Sequence, residues 1–325
     1  MADGPHPAVA KGRRHLTEAL TDVGPGDRVE VALSGGADSL ALAACLAFVG
    51  PKAGWDCTAV VVDHRLQENS AEVAAAAAQQ ASALGLAADV VPVEVGSAGG
   101  PEAAAREARY AALLARPVDA TLLAHTLDDQ AETVLLGLGR GSGPRAIAGM
   151  PASAGQLRRP FLRMRRSETE QICVASGLAF WSDPHNLDDR FRRSRLRNEV
   201  LPLLEEVLGG GVAEALSRTA TQVRSDVEFI DDIAASLSVS LIGAFAEGVD
   251  VTKLASLEPA LRLRILRLAA LEAGAPASHL SAAHLDELDR LVMNWHGQVR
   301  VELPGRISAV RDGEALRFIP TPVAG

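Results

Sequence analysis

The stretch from residue 34 to residue 39 combines two hydroxyls, two glycines and a carboxylate at the junction of two apolar runs. A glycine-rich turn between a strand and a helix N-terminus exposes backbone N–H groups, and the helix dipole favours a negative charge beside them. The stretch therefore predicts a phosphate-binding loop made of Ser34, Gly35, Gly36, Ala37, Asp38 and Ser39. Because a carboxylate next to phosphates requires a cation between them, Asp38 predicts a bound Mg²⁺. The alternative is a tight turn that only allows close helix packing.

A second group of chemically active residues follows a later apolar run. His125, Asp129 and Glu132 are spaced i, i+4 and i+7, which predicts that they share one face of a helix, with His125 at a strand end. Perturbed titratable groups cluster at functional sites, so this set is a candidate for proton transfer and for binding charged groups. The alternative is a solvated helix face whose acids are favoured by the helix dipole.

Arginine is concentrated in one segment of an acidic chain. The formal net charge is −9, yet residues 158–197 hold ten arginines against five acidic residues. A local basic field indicates a nucleic-acid partner better than the overall charge does. The strongest candidates for phosphate contacts are Arg192, Arg193, Arg195 and Arg197, and Phe191 beside them is a candidate for base stacking. A solvated basic turn is the alternative.

Strands and helices must alternate to position these groups. The pattern predicts a helix over 6–21, then strands over 28–34, 58–64, 89–95 and 120–125, each followed by a helix over 38–49, 71–84, 101–114 and 128–138. Such alternation predicts an α/β fold, a parallel Rossmann-like sheet with helices on both faces. Ligands bind such sheets at the carboxyl ends of the strands, where the candidate residues fall. Ser167 and Glu170 predict a capping box at the start of a later helix.

The length of 325 residues allows two domains, and the pattern of alternating strands and helices ends near residue 215, which predicts a boundary there. Helical patterns dominate beyond that point and end in short strands separated by turn dipeptides, which predicts a smaller α+β domain. We expect the domains to span 1–215 and 216–325. No apolar run approaches the roughly 20 residues of a membrane helix, and no apolar leader opens the chain, so we expect a cytoplasmic protein without membrane contact.

The motifs resemble two nested families. The run SGGADS resembles the pyrophosphate-binding loop of the N-type (PP-loop) ATP pyrophosphatases, which adenylate their substrates. Residues 124–150 and 182–204 resemble the signatures of the tRNA(Ile)-lysidine synthetases, and residues 303–318 resemble the small second domain of that family. The sequence departs from the family pattern at His185, Ser194 and Asn198.

The resemblance implies ATP and Mg²⁺ as cofactors, and L-lysine and an isoleucine tRNA with a CAU anticodon as substrates. ATP would adenylate the wobble cytidine at carbon 2, and the lysine ε-amine would then displace AMP. Asp129 and Glu132 would bind lysine, with one of them accepting a proton, and His125 would contact the α-phosphate. The segment 192–197 would contact the tRNA.

Three further residues take roles from the same resemblance. Arg106 would reach the transferring phosphate, although surface ion pairs of Arg106 and Arg109 with Glu102 or Glu107 are the alternative. Asp63 and His64 would lie beside the adenosine, or His64 would be a surface histidine.

Two other functions stay open. One is a sulfur-inserting PP-loop tRNA-modifying enzyme, which usually needs a reactive or cluster-binding cysteine pair. Cys45, Cys57 and Cys173 show no such spacing. The other is a non-catalytic nucleotide-binding module, which would not need Asp38 or the set of His125, Asp129 and Glu132. The oligomeric state stays open as well, a homodimer included.

Overall fold

A computed structural model describes residues 4–65, 69–96, 100–141, 143–181, 192–241, 248–277, 279–298 and 300–321. The chain divides into two compact units. The first comprises Met1–Leu136 and Gly149–Ala220, and the second comprises Gly137–Ala148 and Thr221–Gly325. The second unit thus takes a short segment from the middle of the chain, which the sequence analysis did not anticipate.

The first unit contains a six-stranded sheet. Its strands are β1 (Arg28–Leu33), β2 (Asp56–Asp63), β3 (Ala87–Pro92), β4 (Ala120–Leu122), β5 (Ser153–Ala154) and β6 (Leu157–Arg158). The strand order is β3-β2-β1-β4-β6-β5, and every neighbouring pair is parallel except β5 with β6. The predicted parallel α/β fold is confirmed.

Helices cover both faces of this sheet. They are α1 (Pro7–Ala19), α2 (Ala37–Ala53), α3 (Ser70–Ala83), α4 (Pro101–Leu114), α5 (Leu127–Arg140), α7 (Arg166–Ala175), α8 (Arg192–Arg195) and α9 (Leu201–Leu208), with α6 (Pro144–Ile147) in the second unit. Residues Leu196–Val200 form a π-helical turn between α8 and α9. Val31 and Leu33 of β1 join the larger core on one face, whereas Ala32 packs with Leu113 of α4 on the other. Both faces of β1 are therefore buried, which explains why its second half, Val31–Leu33, is apolar on successive residues.

Two local expectations were wrong. Strand β4 ends at Leu122 and α5 begins at Leu127, so His125 lies in the connecting loop, not on the helix. The N-cap of helix α7 is Arg165, two residues before the predicted cap Ser167, and Glu168 instead of Glu170 accepts the backbone N–H of Arg165 at 2.9 Å. A capping box uses the carboxylate at the third helical position, and because α7 starts at Arg166 that residue is Glu168.

The second unit contains a four-stranded antiparallel sheet. Its strands are β7 (Val249–Asp250), β8 (Val301–Leu303), β9 (Ile307–Asp312) and β10 (Ala315–Pro320), in the order β7-β10-β9-β8. The helices are α11 (Val251–Ala255), α12 (Pro259–Glu272) and α13 (Ala282–Met293), and the long helix α10 (Val212–Leu241) runs from the first unit into the second. Their core includes Leu254, Ile265, Leu288 and Leu316. Within the described ranges, no helix is long and apolar enough to cross a membrane.

Candidate functional site

The loop between β1 and α2 has the geometry of an anion-binding turn. Gly35 has φ +79°, a left-handed conformation that glycine adopts without strain, and Gly36 is the extended residue before the helix. The Ser39 hydroxyl accepts the backbone N–H of Ser34 at 3.1 Å and donates to the carbonyl of Gly36 at 2.9 Å. These bonds fix the loop at the N-terminus of a 17-residue helix, where N–H groups lack intrahelical partners.

Asp38 lies in the first turn of α2 and contacts α7. Its Oδ1 accepts the Thr169 hydroxyl, and its Oδ2 lies 3.4 Å from Nε of Arg166. Burial raises the pKa of Asp38, and the contacts with Arg166 and Thr169 oppose that rise. Among the described residues, no group of three or more His, Cys, Asp or Glu side chains could hold a metal ion. Mg²⁺ is commonly held by one or two carboxylates together with substrate phosphates, so a single carboxylate beside a phosphate loop fits Mg²⁺ bound with ATP.

Asp129 closes a capping box at the start of α5. Its Oδ2 accepts the backbone N–H of Thr126 at 2.8 Å and the Thr126 hydroxyl at 2.9 Å. Its Oδ1 accepts Nη2 of Arg166 at 2.9 Å and lies 3.5 Å from Nη2 of Arg197. Burial opposes ionisation, but Arg166 and the Thr126 bond outweigh it, so the pKa of Asp129 is lowered. Asp129 is therefore held as a fixed anion.

Glu132 lies one turn further along α5 and is fully buried. Nε of Arg197 lies 2.7 Å from its Oε1, and Nη2 of Arg197 lies 3.3 Å from its Oε2. Nη1 of Arg166 is 3.9 Å from Oε1. Burial raises the pKa of Glu132, and the Arg197 hydrogen bond acts in the opposite direction. Asp129 and Glu132 thus share one helix face, as their spacing predicts.

Arg166 joins these acids into one group. It contacts Asp38, Asp129 and Glu132 from the first position of α7. We call the set of Asp38, Asp129, Glu132, Arg166 and Arg197 the carboxylate cluster. Sequence reasoning missed Arg166, whose partner Asp38 is 128 residues away in the chain.

Asp128 holds the backbone from which Arg166 projects. Its Oδ2 accepts the backbone N–H of Arg166 at 2.8 Å, and its Oδ1 accepts Nη1 of Arg165 at 3.1 Å. Arg165 also pairs with Glu214 at 2.5 Å. The sequence analysis explained acids in this turn by the helix dipole, whereas the structure gives Asp128 a specific long-range partner.

His125 lies in the loop between β4 and α5, within electrostatic reach of Asp129 and of three arginines. Its Nδ1 is buried without a hydrogen-bond partner among the described residues. Burial lowers the pKa of His125 to about 3. Asp129 opposes this shift, and Arg109, Arg159 and Arg106 add to it. His125 is therefore neutral at physiological pH.

The remaining predicted residues at this edge follow β2. Asp63 is buried and accepts the backbone N–H of Arg65 at 3.0 Å. His64 has a buried Nδ1 without a hydrogen-bond partner in the described structure. Burial lowers the pKa of His64, as does Arg109, while Asp63 opposes the shift. His64 is partly buried, which disfavours the alternative of an ordinary surface histidine.

The predicted tRNA arginines divide into two groups. Arg192 and Arg195 are exposed, and Arg195 pairs with Glu199 at 3.0 Å. Arg193 lies 3.4 Å from the Thr133 hydroxyl, and Arg197 belongs to the carboxylate cluster. Of the family departures, Ser194 is buried and Asn198 is exposed, whereas His185 and Phe191 lie outside the described residues.

The three cysteines are free thiols. Burial raises the pKa of Cys45 to about 12, that of Cys57 to about 11 and that of Cys173 to about 12. The thiolate is the nucleophilic and metal-binding form, so these thiols are poorly suited to sulfur transfer or cluster binding.

Comparisons with known proteins agree along the chain. Residues 10–204 match the PP-loop domain family, and residues 250–317 match the TilS substrate binding domain. A tRNA(Ile)-lysidine synthase of Thermobifida fusca is 48% identical, over 96% of this chain and 98% of the relative. One of Leifsonia xyli is 51% identical over 91% of both chains. Among solved structures, the U34-tRNA thiolase NcsA from Methanococcus maripaludis, with its [4Fe-4S] cluster, has a TM-score of 0.56 at 18% identity, covering 67% of this chain and 80% of that chain. This last likeness concerns the fold alone.

Proposed function

The chain belongs to the tRNA(Ile)-lysidine synthase family of ATP-dependent ligases, and on this premise we propose which of its residues carry the reaction. The reaction has two steps. AMP is first transferred from ATP to the carbon-2 oxygen of the wobble cytidine in an isoleucine tRNA with a CAU anticodon, and pyrophosphate leaves. The lysine ε-amine then attacks carbon 2 and displaces AMP.

The loop of residues 34–39 binds the pyrophosphate portion of ATP in this proposal. Its support is the fixed glycine turn at the N-terminus of α2, where backbone N–H groups and the helix dipole favour phosphate. Asp38 is the protein ligand for Mg²⁺, which would neutralise the phosphates. Thr169 and Arg166 hold the Asp38 carboxylate in position through contacts from α7. Asp63 and His64 border the adenosine.

Asp129 and Glu132 bind the ammonium groups of lysine. Asp129 already accepts hydrogen bonds on both oxygens, so it suits a fixed electrostatic role. Glu132 is the better candidate to accept a proton from the ε-amine, because burial raises its pKa toward that of a useful base. Arg106 and His125 contact the phosphate that is transferred.

The tRNA is bound by the arginine-rich segment and by the second domain. Arg192 and Arg195 are exposed enough to reach backbone phosphates, and Arg193 and Arg197 point from the same segment toward α5. We assign the domain of residues 1–215 to catalysis and the domain of residues 216–325 to tRNA contacts. The enzyme would act in the cytoplasm, where its tRNA is found, and a homodimer stays a prediction.

The observation that carries the proposal is the convergence of Asp38, Asp129 and Glu132 on Arg166 beside the phosphate loop. Pyrophosphate release should require ATP, Mg²⁺ and the CAU-anticodon tRNA, and lysidine formation should require lysine as well. Asp38→Asn should abolish pyrophosphate release while the protein stays folded. Arg14→Gln, which removes an exposed arginine of α1, is the matched control and should retain wild-type rates. Wild-type pyrophosphate release by Asp38→Asn would refute the metal assignment.

A further inference from the structure

The second domain exposes a tryptophan directly after helix α13. Trp295 follows Asn294, the residue that ends the helix, and 40% of its surface is exposed to solvent. Met293 on the other side of Asn294 is also exposed. A single exposed apolar side chain is common on protein surfaces and needs no explanation. What distinguishes Trp295 is that its neighbours hold the ring in one position.

Arg311 of β9 supports one face of the ring. Its guanidinium carbon lies 5.0 Å from the ring centroid of Trp295. The guanidinium is fixed in turn, because its Nη1 donates to the carbonyls of Leu291 and Val292 at 2.9 Å, and its Nε donates to the carbonyl of Gly313 at 3.1 Å. The first two carbonyls belong to the last turn of α13, where carbonyls have no partners within the helix. The support of the ring is therefore attached to the backbone of both α13 and the β9–β10 turn.

Gln298 closes the turn that carries the ring. Its Oε1 accepts the backbone N–H of His296 at 2.7 Å, and its Nε2 donates to the carbonyl of Asn294 at 3.1 Å. The indole Nε1 of Trp295 donates to the Gln298 carbonyl at 3.4 Å. Arg311 thus supports one face of the ring and Gln298 holds one edge, so the exposed surface of the ring is available to a partner without rearrangement of the turn.

The charges near the ring favour a partner with negative charge. Within five residues of Trp295 on either side, the chain carries two arginines, Arg290 and Arg300, and no acidic residue. Arg300 pairs with Glu302 at 2.9 Å, at the surface. Arg290 is exposed, and neither Arg290 nor Arg311 forms an ion pair within the described ranges of the chain. The exposed ring therefore lies beside positive charge that has no counter-ion.

We propose that Trp295 stacks on an unpaired base of the tRNA. Every base has an aromatic face, and stacking on aromatic side chains is a common way in which proteins hold unpaired bases. A ring that is fixed before binding loses little freedom when the base arrives. Arginines beside the ring suit a base whose backbone carries phosphates, whereas an apolar surface of a protein partner would not require them. This proposal rests on the proposed function, in which the second domain contacts the tRNA, and it names a residue that makes such a contact.

The test measures tRNA affinity at several salt concentrations. Trp295→Ala and Trp295→Phe are compared with Phe229→Ala, which removes a 66% exposed aromatic ring of α10 and should bind the CAU-anticodon tRNA as the wild type does. Trp295→Ala should weaken binding by about 5- to 100-fold, and Trp295→Phe, which keeps a stacking ring, should lose clearly less. The salt slope of log affinity should be the same in both Trp295 variants and the wild type, because a stacked base releases no counter-ions.

Tryptophan fluorescence gives a measurement that a purely structural role of Trp295 would not change. A base stacked on the indole quenches its emission, so the tRNA should quench the wild-type protein more than Trp295→Phe, which keeps Trp55 and Trp181. Equal fractional quenching of the two proteins would overturn the proposal. Wild-type affinity of Trp295→Ala, which would leave the ring to a protein partner, or a loss in Trp295→Phe as large as that in Trp295→Ala, would overturn it as well.

Lysidine formation separates this proposal from the proposed function. At saturating tRNA, Trp295→Ala should keep the wild-type kcat and should show a raised KM for the tRNA. Lysidine formation with an unchanged KM for the tRNA would refute the stacking contact alone. A wild-type protein that binds the tRNA but makes no lysidine would refute the proposed function, and the affinities of the Trp295 variants would still decide the stacking contact.

Discussion

Asp129 of the carboxylate cluster and the three arginines Arg106, Arg109 and Arg159 shift the pKa of His125 in opposite directions, and the two groups differ in how their charges are balanced. Two arginines already neutralise most of the charge of Asp38, Asp129 and Glu132. The three arginines near Tyr110 have no such compensation among the described residues. A compensated cluster is part of the folded architecture, so a ligand must compete with its internal partners. Of the three arginines, Arg159 is buried while Arg106 is exposed, so the cost of losing water falls mainly on Arg159, and a bound anion would offset it. The two groups should therefore respond in opposite ways to neutralising substitutions.

Glu132→Ala should have the largest effect. Glu132 is fully buried, and its removal breaks both hydrogen bonds with Arg197 while the 3.5 Å contact of Arg197 with Asp129 remains. Breaking a buried ion pair by removing one partner typically costs about 3–5 kcal/mol of folding free energy. The apparent KM for lysine should rise more than that for ATP, because in our proposal Glu132 binds an ammonium group of lysine. Urea unfolding and steady-state kinetics measure both effects. The control Glu199→Gln alters an exposed ion pair and should leave the unfolding free energy nearly unchanged. Equal effects on both KM values would argue against lysine binding at Glu132.

Asp128→Asn should have the next largest effect, and it acts through Arg166. Loss of the carboxylate charge weakens the hydrogen bonds to the Arg166 N–H and to Arg165. A shift of about 1 Å in a positioned group can lower the rate about 100-fold, so kcat should fall by about 10- to 100-fold. Glu214→Gln alters the Arg165 contact without touching the Arg166 backbone, and its kcat should stay near that of the wild type. Similar losses of kcat in both variants would mean that kcat depends on the start of α7 as a whole and not on the position of Arg166.

His125 should give the folding stability a pH dependence of moderate size. Its pKa is lowered to about 3 in the folded protein, against an ordinary value of 6.5, so the unfolded chain binds a proton first as the pH falls. Stability should therefore be fully present above pH 6.5 and decline toward pH 3, by up to about 1.4 kcal/mol per pH unit from this group. His125→Gln should reduce that slope between pH 6.5 and 4.5. A bound phosphate would stabilise the protonated ring and should reduce the wild-type slope as well, and an identical slope with and without ligand would contradict this.

The exposed arginines should give the smallest effect. Arg195→Ala should weaken binding of the tRNA and reduce the salt slope of log affinity by about 0.7–0.9 if one phosphate contact is lost. Arg197→Ala should leave that slope nearly unchanged and should weaken lysine use, because Arg197 pairs with Glu132. Binding assays at several salt concentrations separate the two residues. Equal changes in slope would place both arginines on the tRNA.

The parts of the site that lie close together in the sequence could be predicted. The phosphate loop is a local pattern of glycines between a strand and a helix, and the i, i+3 spacing of Asp129 and Glu132 places both on one helix face. His125 was predicted at a strand end because the apolar run continues to Ala124, whereas β4 ends at Leu122 and His125 lies in the loop before α5. The Thr126–Asp129 capping box is itself a recognisable sequence pattern and could have corrected this boundary.

Arg166 and Arg159 could not be predicted, for a different reason. The environment of each is set by a partner on another helix or strand. Arg159, for example, contacts the hydroxyl of Tyr110 in α4, which lies 49 residues earlier in the chain. A run of arginines looks the same in sequence whether its members contact solvent, RNA or buried acids. Only the sheet topology, which places the ends of β4 and β6 side by side, distinguishes these environments.

The capping box at Asp129 restricts how the amine specificity of this enzyme could be redesigned. One oxygen of Asp129 starts helix α5, and the other faces the arginines. A redesign that deletes this side chain would therefore fray the helix that also carries Glu132, and a loss of activity could not be attributed to specificity. Asp129→Asn keeps an oxygen for the cap and alters only the charge, which makes it the appropriate first step toward accepting a less basic amine.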